Sequence, residues 1–112
     1  MDREELLKII ESKEVIGIDL SGQRLEKIDF TGCRIERTSF KGCELVHCRF
    51  RNAKISWSDF RYAEIQHGTF EGAEIEFSDF YRAFIDGVVI FSGSSFSNCS
   101  LNKTYLGECA II

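Results

Sequence analysis

Residues 53–80 read AKISWSDFRYAEIQHGTFEGAEIEFSDF. Every fifth residue from Ile55 is large and apolar: Ile55, Phe60, Ile65, Phe70, Ile75, Phe80. Two residues before each stands a small one: Ala53, Ser58, Ala63, Gly68, Ala73, Ser78. A period of five is neither the 3.6 of a helix nor the two of a simple strand. A large and a small residue two apart face the same side of an extended segment. Each unit therefore points two side chains inward and leaves others, such as Lys54, Glu64, Glu74 and Glu76, outward.

The pattern runs back to Leu20, through Leu25, Phe30, Ile35, Phe40, Leu45 and Phe50, and forward to Ile85. The small register runs from Cys33 through Thr38, Cys43 and Cys48 to Ala83. Five residues are too few for a strand and a loop, but enough for a short extended piece and a corner. Four such pieces make a square coil of twenty residues, and coils stack at about 4.8 Å. No single coil can bury its own centre residues, so stacking is what closes the core. Phe alternates with Ile or Leu at the centres, which predicts one column of Phe30, Phe50 and Phe70 facing another of Phe40, Phe60 and Phe80.

The segments SDFRYAEI (58–65) and SDFYRAFI (78–85) are similar to the pentapeptide-repeat family, whose unit is a small residue, Asp or Asn, then Leu or Phe, then two variable positions. The resemblance covers Leu20 to Ile111 and implies an all-β solenoid, a right-handed quadrilateral parallel β-helix. It departs at the second unit position, where Arg34, Glu44, Arg49, Lys54, Glu64 and Glu74 stand in place of Asp or Asn. Some members of the family resemble duplex DNA in shape and charge, bind type II topoisomerases and protect them from quinolones. Members also often dimerise through their C-terminal ends.

The register slips once. After Ile85 the next centre is Phe91, six residues on, then Phe96, Leu101, Leu106 and Ile111. The extra residue is expected as a bulge within Asp86–Val89, with Gly87 free to take an unusual backbone conformation. Residues 1–14 are expected to form an N-terminal capping helix, started by Asp2 with Glu5 as in a capping box, with Leu6, Leu7, Ile9 and Ile10 as its apolar face. Residues 15–112 form the β-helix. The helix would cover the exposed backbone of the first coil. The other end carries no comparable lid, which makes Tyr105, Leu106, Ile111 and Ile112 a candidate homodimer interface.

Composition narrows the function. Ten Phe with no Pro fits a regular core in which nearly every N–H is needed as a donor. A net charge of −4 does not suit direct nucleic-acid binding. No basic leader precedes an apolar run, and no apolar run is long enough to span a membrane. The expected compartment is the cytoplasm, with all five Cys as reduced thiols on the small inward register. A zinc site from Cys43, His47 and Cys48 would need residues that point in opposite directions. His47 and His67 should be neighbours, and Asp19, Asp59 and Asp79 should share a column, bonding backbone at turns. No catalytic residue, metal ligand or cofactor is expected.

One outward column is not polar in the usual way: Arg37, Trp57 and Phe77 are spaced by twenty. Tyr62, Tyr81 and Phe84 on the next faces would widen it into an aromatic partner-binding patch, a composition enriched at protein interfaces. Charge is segregated, with +4 from Arg24 to Arg61 and −5 from Tyr62 to Asp86. The expected function is a non-catalytic scaffold that binds itself and a further protein. The alternative is a topoisomerase-binding DNA mimic, for which the acidic rows should not be broken by Arg34, Arg49, Arg51, Lys54 and Arg61.

Overall fold

Residues twenty apart lie side by side. Val15 pairs with Ile35, Ile35 with Ile55 and Ile55 with Ile75 in parallel register, as the five-residue period requires. The computed structural model describes residues 1–107 and the backbone of residues 110 and 111; Cys109, Ile112 and the side chain of Ile111 lie outside the described residues. The chain forms helix α1 (Arg3–Glu11) and then a right-handed, four-sided parallel β-solenoid of about five turns. Its strands are β1 (Glu14–Ile16), β2 (Arg24–Glu26), β3 (Arg34–Glu36), β4 (Glu44–Val46), β5 (Lys54–Ser56), β6 (Glu64–Gln66), β7 (Glu74–Glu76), β8 (Phe84–Asp86), β9 (Val88–Val89), β10 (Ser95–Ser97), β11 (Tyr105–Leu106) and β12 (Ala110–Ile111).

The four faces are of two kinds. The first face is the sheet β1-β3-β5-β7-β10 and the third is β2-β4-β6-β8-β11, both centred on Ile, Leu or Val until the last coil. The second and fourth faces are narrower, held by single bridges such as Asp59 to Asp79 and Arg49 to Thr69. These carry the Phe columns. Phe40, Phe60 and Phe80 stack at 4.6 Å, and Phe30, Phe50 and Phe70 at 4.7 Å. The columns meet edge-on across the axis, as at Phe30 and Phe40, 5.7 Å and 82° apart. Each such pair adds about 0.5–1.5 kcal/mol beyond burial.

The corners explain the small register. After the second and fourth faces the chain makes a hydrogen-bonded turn, with the N–H of Ala63 donating to Phe60 O and that of Ala73 to Phe70 O. Backbone closes the turn, so the side chain need only be small. After the first face no such bond forms, and a hydroxyl takes its place. Ser58 Oγ donates to Ser56 O and accepts from Thr38 N–H, while Ser78 Oγ donates to Glu76 O and accepts from Ser58 N–H. Thr38, Ser58 and Ser78 are buried without leaving a polar atom unpaired. At each described corner of the solenoid one residue takes a positive φ, eleven of them other than glycine. That conformation costs an ordinary residue about 1–2 kcal/mol, and the ladder of bonds to neighbouring coils holds it.

Both ends depart from expectation in detail. The helix stops at Glu11 and not at residue 14, because Ser12 turns its hydroxyl onto Ile9 O and Lys13 reverses the chain at φ 63. The first centre is thus Val15, one unit before Leu20. Asp2 caps α1 by accepting from Glu5 N–H. Leu6 and Ile10 are buried on the first coil, but Leu7 faces solvent. At the other end the slip is as expected in place: Thr69 bridges to Ile90 and Phe70 stacks on Phe91. Asp86 still pairs with Gln66, and Gly87 takes the positive φ of an ordinary corner, so the added residue is Val88.

Candidate interaction surfaces

Among the described residues, no side chain stacks on the outermost apolar residues of the last described coil. Phe60 and Phe80 are sealed, whereas Leu101, Tyr105 and Leu106 are 50%, 56% and 53% exposed. Beneath them is a cavity of about 390 Å³ lined by Phe80, Phe91, Phe96, Leu101 and Leu106 among others. Tyr105 stacks on Phe84 at 4.8 Å, carrying an aromatic pair down the third face from this end. Of the expected interface, Leu106 sits at the mouth and Tyr105 stands outside it on the third face; Ile112 and the side chain of Ile111 lie outside the described residues.

The expected aromatic patch is three separate pairs. Trp57 and Phe77 stack at 4.6 Å and 5° on the corner between the first and second faces. Tyr62 meets Tyr81 edge-on at 5.8 Å beside the next corner, with the second face between the two pairs. Phe84 belongs with Tyr105 on the third face. The twenty-residue period places residues in columns, but neighbouring corners are a whole face apart. Arg37 shares the Trp57 column at φ 47, yet among the described residues the arginine over a ring is Arg82, 5.5 Å from the centre of Tyr81. Trp57 is 61% exposed and adopts φ 53, a conformation that bulky residues rarely take.

Other candidates for chemistry are structural. Asp19, Asp59 and Asp79 each accept a backbone N–H two residues on, as in the Asx turns expected of that column, and Asp29 on the fourth face does the same. Burial pushes the Asp59 carboxyl up, but the side chain and N–H of Arg61 outweigh it and hold the group below its usual value. Cys43 and Cys48 are buried thiols that donate to Leu20 O and Leu25 O of the coil below. Desolvation pushes both up to about 11. Cys33 is also buried and Cys99 is half-buried. Among the described residues no three of His, Cys, Asp and Glu are grouped to hold a metal ion. His47 and His67 stack at 5.2 Å.

With the four-sided coil and its five-residue units in place, the family follows. The pentapeptide repeat region matches residues 15–88. The chain belongs to the pentapeptide-repeat family. Among solved structures it is similar to a pentapeptide-repeat protein of the Arabidopsis thaliana thylakoid lumen, at 22% identity and a TM-score of 0.79 over 88% of this chain and 68% of that one. It is also similar to QnrB1, a plasmid-mediated fluoroquinolone resistance protein, at 17% identity and 0.58 over 86% of this chain and 57% of that one. A third is a pentapeptide-repeat protein of the cyanobacterium Cyanothece 51142, at 14% and 0.50 over 97% and 94%. At these identities the likeness is one of fold. No curated protein matches the chain by sequence. No helix among the described residues of this pentapeptide-repeat chain is long and apolar enough to cross a membrane.

Two features of the surfaces escaped the sequence reading. Leu101 was legible as a centre residue, but its exposure depends on what lies above it. The other is His67, whose Nδ1 accepts from Val88 N–H at 3.2 Å. No spacing rule announces that bond, since it arises only because the coil above holds one residue more.

Proposed function

We propose that this chain is a non-catalytic scaffold that forms a homodimer through its C-terminal end and offers its aromatic corner to another protein. The observation that carries the reading is the apolar mouth formed by Leu101 and Leu106 over a cavity of about 390 Å³, with the exposed Tyr105 beside it on the third face. Exposed apolar ends and strand edges of a solenoid are normally covered by a capping element or blunted by charge. A two-fold contact would bury both mouths in one closed interface, and α1 on the opposite end opposes head-to-tail growth. The scaffold reading is further supported by a core filled with side chains. Buried thiols at Cys33, Cys43 and Cys48 suit the reducing cytoplasm.

Light scattering on the intact chain should give about twice its mass of 12.8 kDa. Leu101→Asp with Leu106→Asp should give a monomer with an unchanged β-sheet spectrum. An unmodified monomer, or a dimer indifferent to both changes, rejects the interface. For the aromatic corner, Trp57→Ala should abolish capture of a partner that the unmodified chain retains. The topoisomerase-mimic alternative has less support. The surface columns of the chain mix both signs, with Arg24 on Glu44 at 2.9 Å and Arg51 on Glu71 at 3.6 Å. The chain should therefore fail to relieve quinolone inhibition of gyrase supercoiling, and relief would reverse the ranking.

A further inference from the structure

On the corner between the third and fourth faces, Lys27, His47, His67 and Gly87 follow one another up the solenoid, each at positive φ. Gly87 has no side chain, and the His67 ring occupies the place where one would stand: a Cβ there would collide with the imidazole. The ring thereby reaches Val88, the residue by which this coil exceeds twenty. Val88 N–H points to the coil below, where a regular unit would present no partner for it, and donates to His67 Nδ1 at 3.2 Å. A ring nitrogen that accepts a hydrogen bond carries its lone pair, so the proton of neutral His67 is on Nε2.

We propose that His67 is a proton-operated latch on the last coil. Neutral, it holds Val88; protonated, it presents an N–H to an N–H and lets go. Histidine is the side chain that ordinarily changes charge between pH 5 and 8. The surroundings favour release once the charge appears. His47 lies stacked beneath at 16°, Arg49 lines the same surface pocket, and Lys27 is on the same column two coils down. The acids of this region are Asp86, whose carboxylate lies beside Gly107, and Asp29, which lines a pocket with Lys27, His47 and Arg49. What the latch holds is β9, and β9 is the strand on which β12 is laid, with Val88 opposite Ala110 and Val89 opposite Ile111. Acidification thus loosens the C-terminal coil while the coils below remain closed.

Nuclear magnetic resonance on the intact, ¹⁵N-labelled chain tests this without reference to any dimer. At pH 8 the long-range ring correlations of His67 should show the Nε2–H form. Exchange protection of the Val88 amide, corrected for intrinsic exchange, should fall about ten-fold between pH 8 and pH 5, the scale set by one hydrogen bond. Protection of the Phe60 amide should stay constant within about two-fold. His67→Gln retains an acceptor that does not titrate and should remove the pH dependence, whereas His47→Gln should keep it. An Nδ1–H tautomer, a Val88 protection equal at both pH values, or an unchanged dependence in His67→Gln overturns the latch. The tautomer and the unmodified chain decide the matter even if the variants fold poorly.

Discussion

Phe60 and Phe96 hold the same place in the five-residue unit, in coils near the middle and at the end of the rod. Phe60 lies between Phe40 and Phe80, stacked on both at 4.6 Å, and is fully buried. Phe96 meets Phe80 edge-on at 5.7 Å and Phe91 at a tilt, and stays half-buried. Identical chemistry gives a core residue in one coil and part of an open surface in the other. In a solenoid burial is supplied by the coils above and below, so a residue's role is set by its distance from an end.

The largest effect should separate these two positions. Phe60→Ala is expected to cost about 3–5 kcal/mol in denaturant unfolding, as for a sealed aromatic that leaves a cavity. Phe96→Ala should cost less than about half of that, because part of its surface is already in water. Equal losses would mean that the last coil is covered in solution, with the dimer the first explanation to examine.

Next in size is an alkaline effect confined to the central coils. Cys43 and Cys48 are raised by burial from 9.0 to about 11. Between those values the unfolded chain loses these protons and the folded chain keeps them, so stability falls as pH rises from 9 to 11. The slope should approach about 1 kcal/mol per pH unit for each thiol. Replacing both by Ala, the residue already at Ala63 and Ala83 in the Cys43 column, should flatten that limb of the stability profile. A double variant with the same slope would show that the thiols are not what titrates. At neutral pH, mass spectrometry of thiol labelling should find Cys99 modified well before Cys43 and Cys48.

The smallest effect concerns Trp57, in a central coil but outside the core. Trp57→Ala should change stability by less than about 1 kcal/mol, the worth of one exposed ring stacked on Phe77. Its fluorescence in the unmodified chain should be red-shifted and open to quencher. A blue-shifted, protected Trp57 would place this corner, and not the C-terminal mouth, in a contact between copies.

The Phe columns, the coil and the place of the slip were legible because a fixed period assigns every residue to a column and a side. The extent of the aromatic patch is not legible for the same reason: the period gives columns and says little about how far apart they stand. Tyr62 and Trp57 are five residues apart, and a whole face separates their corners. The hydroxyls of Thr38, Ser58 and Ser78 were read only as small. Their service as substitutes for a missing turn bond depends on which corners close by backbone alone.

The sequence by itself determined the four-sided coil, the inward pair in each unit, the capped first coil and the location of the added residue. These follow from local alternation and chain length, which act over five or twenty residues. Tertiary structure decided which apolar residues are core and which are surface, and it joined His67 to Val88. Those outcomes depend on contacts between coils. An exposed Leu101 or a hydrogen bond across a bulge exists only once neighbouring turns are laid on one another.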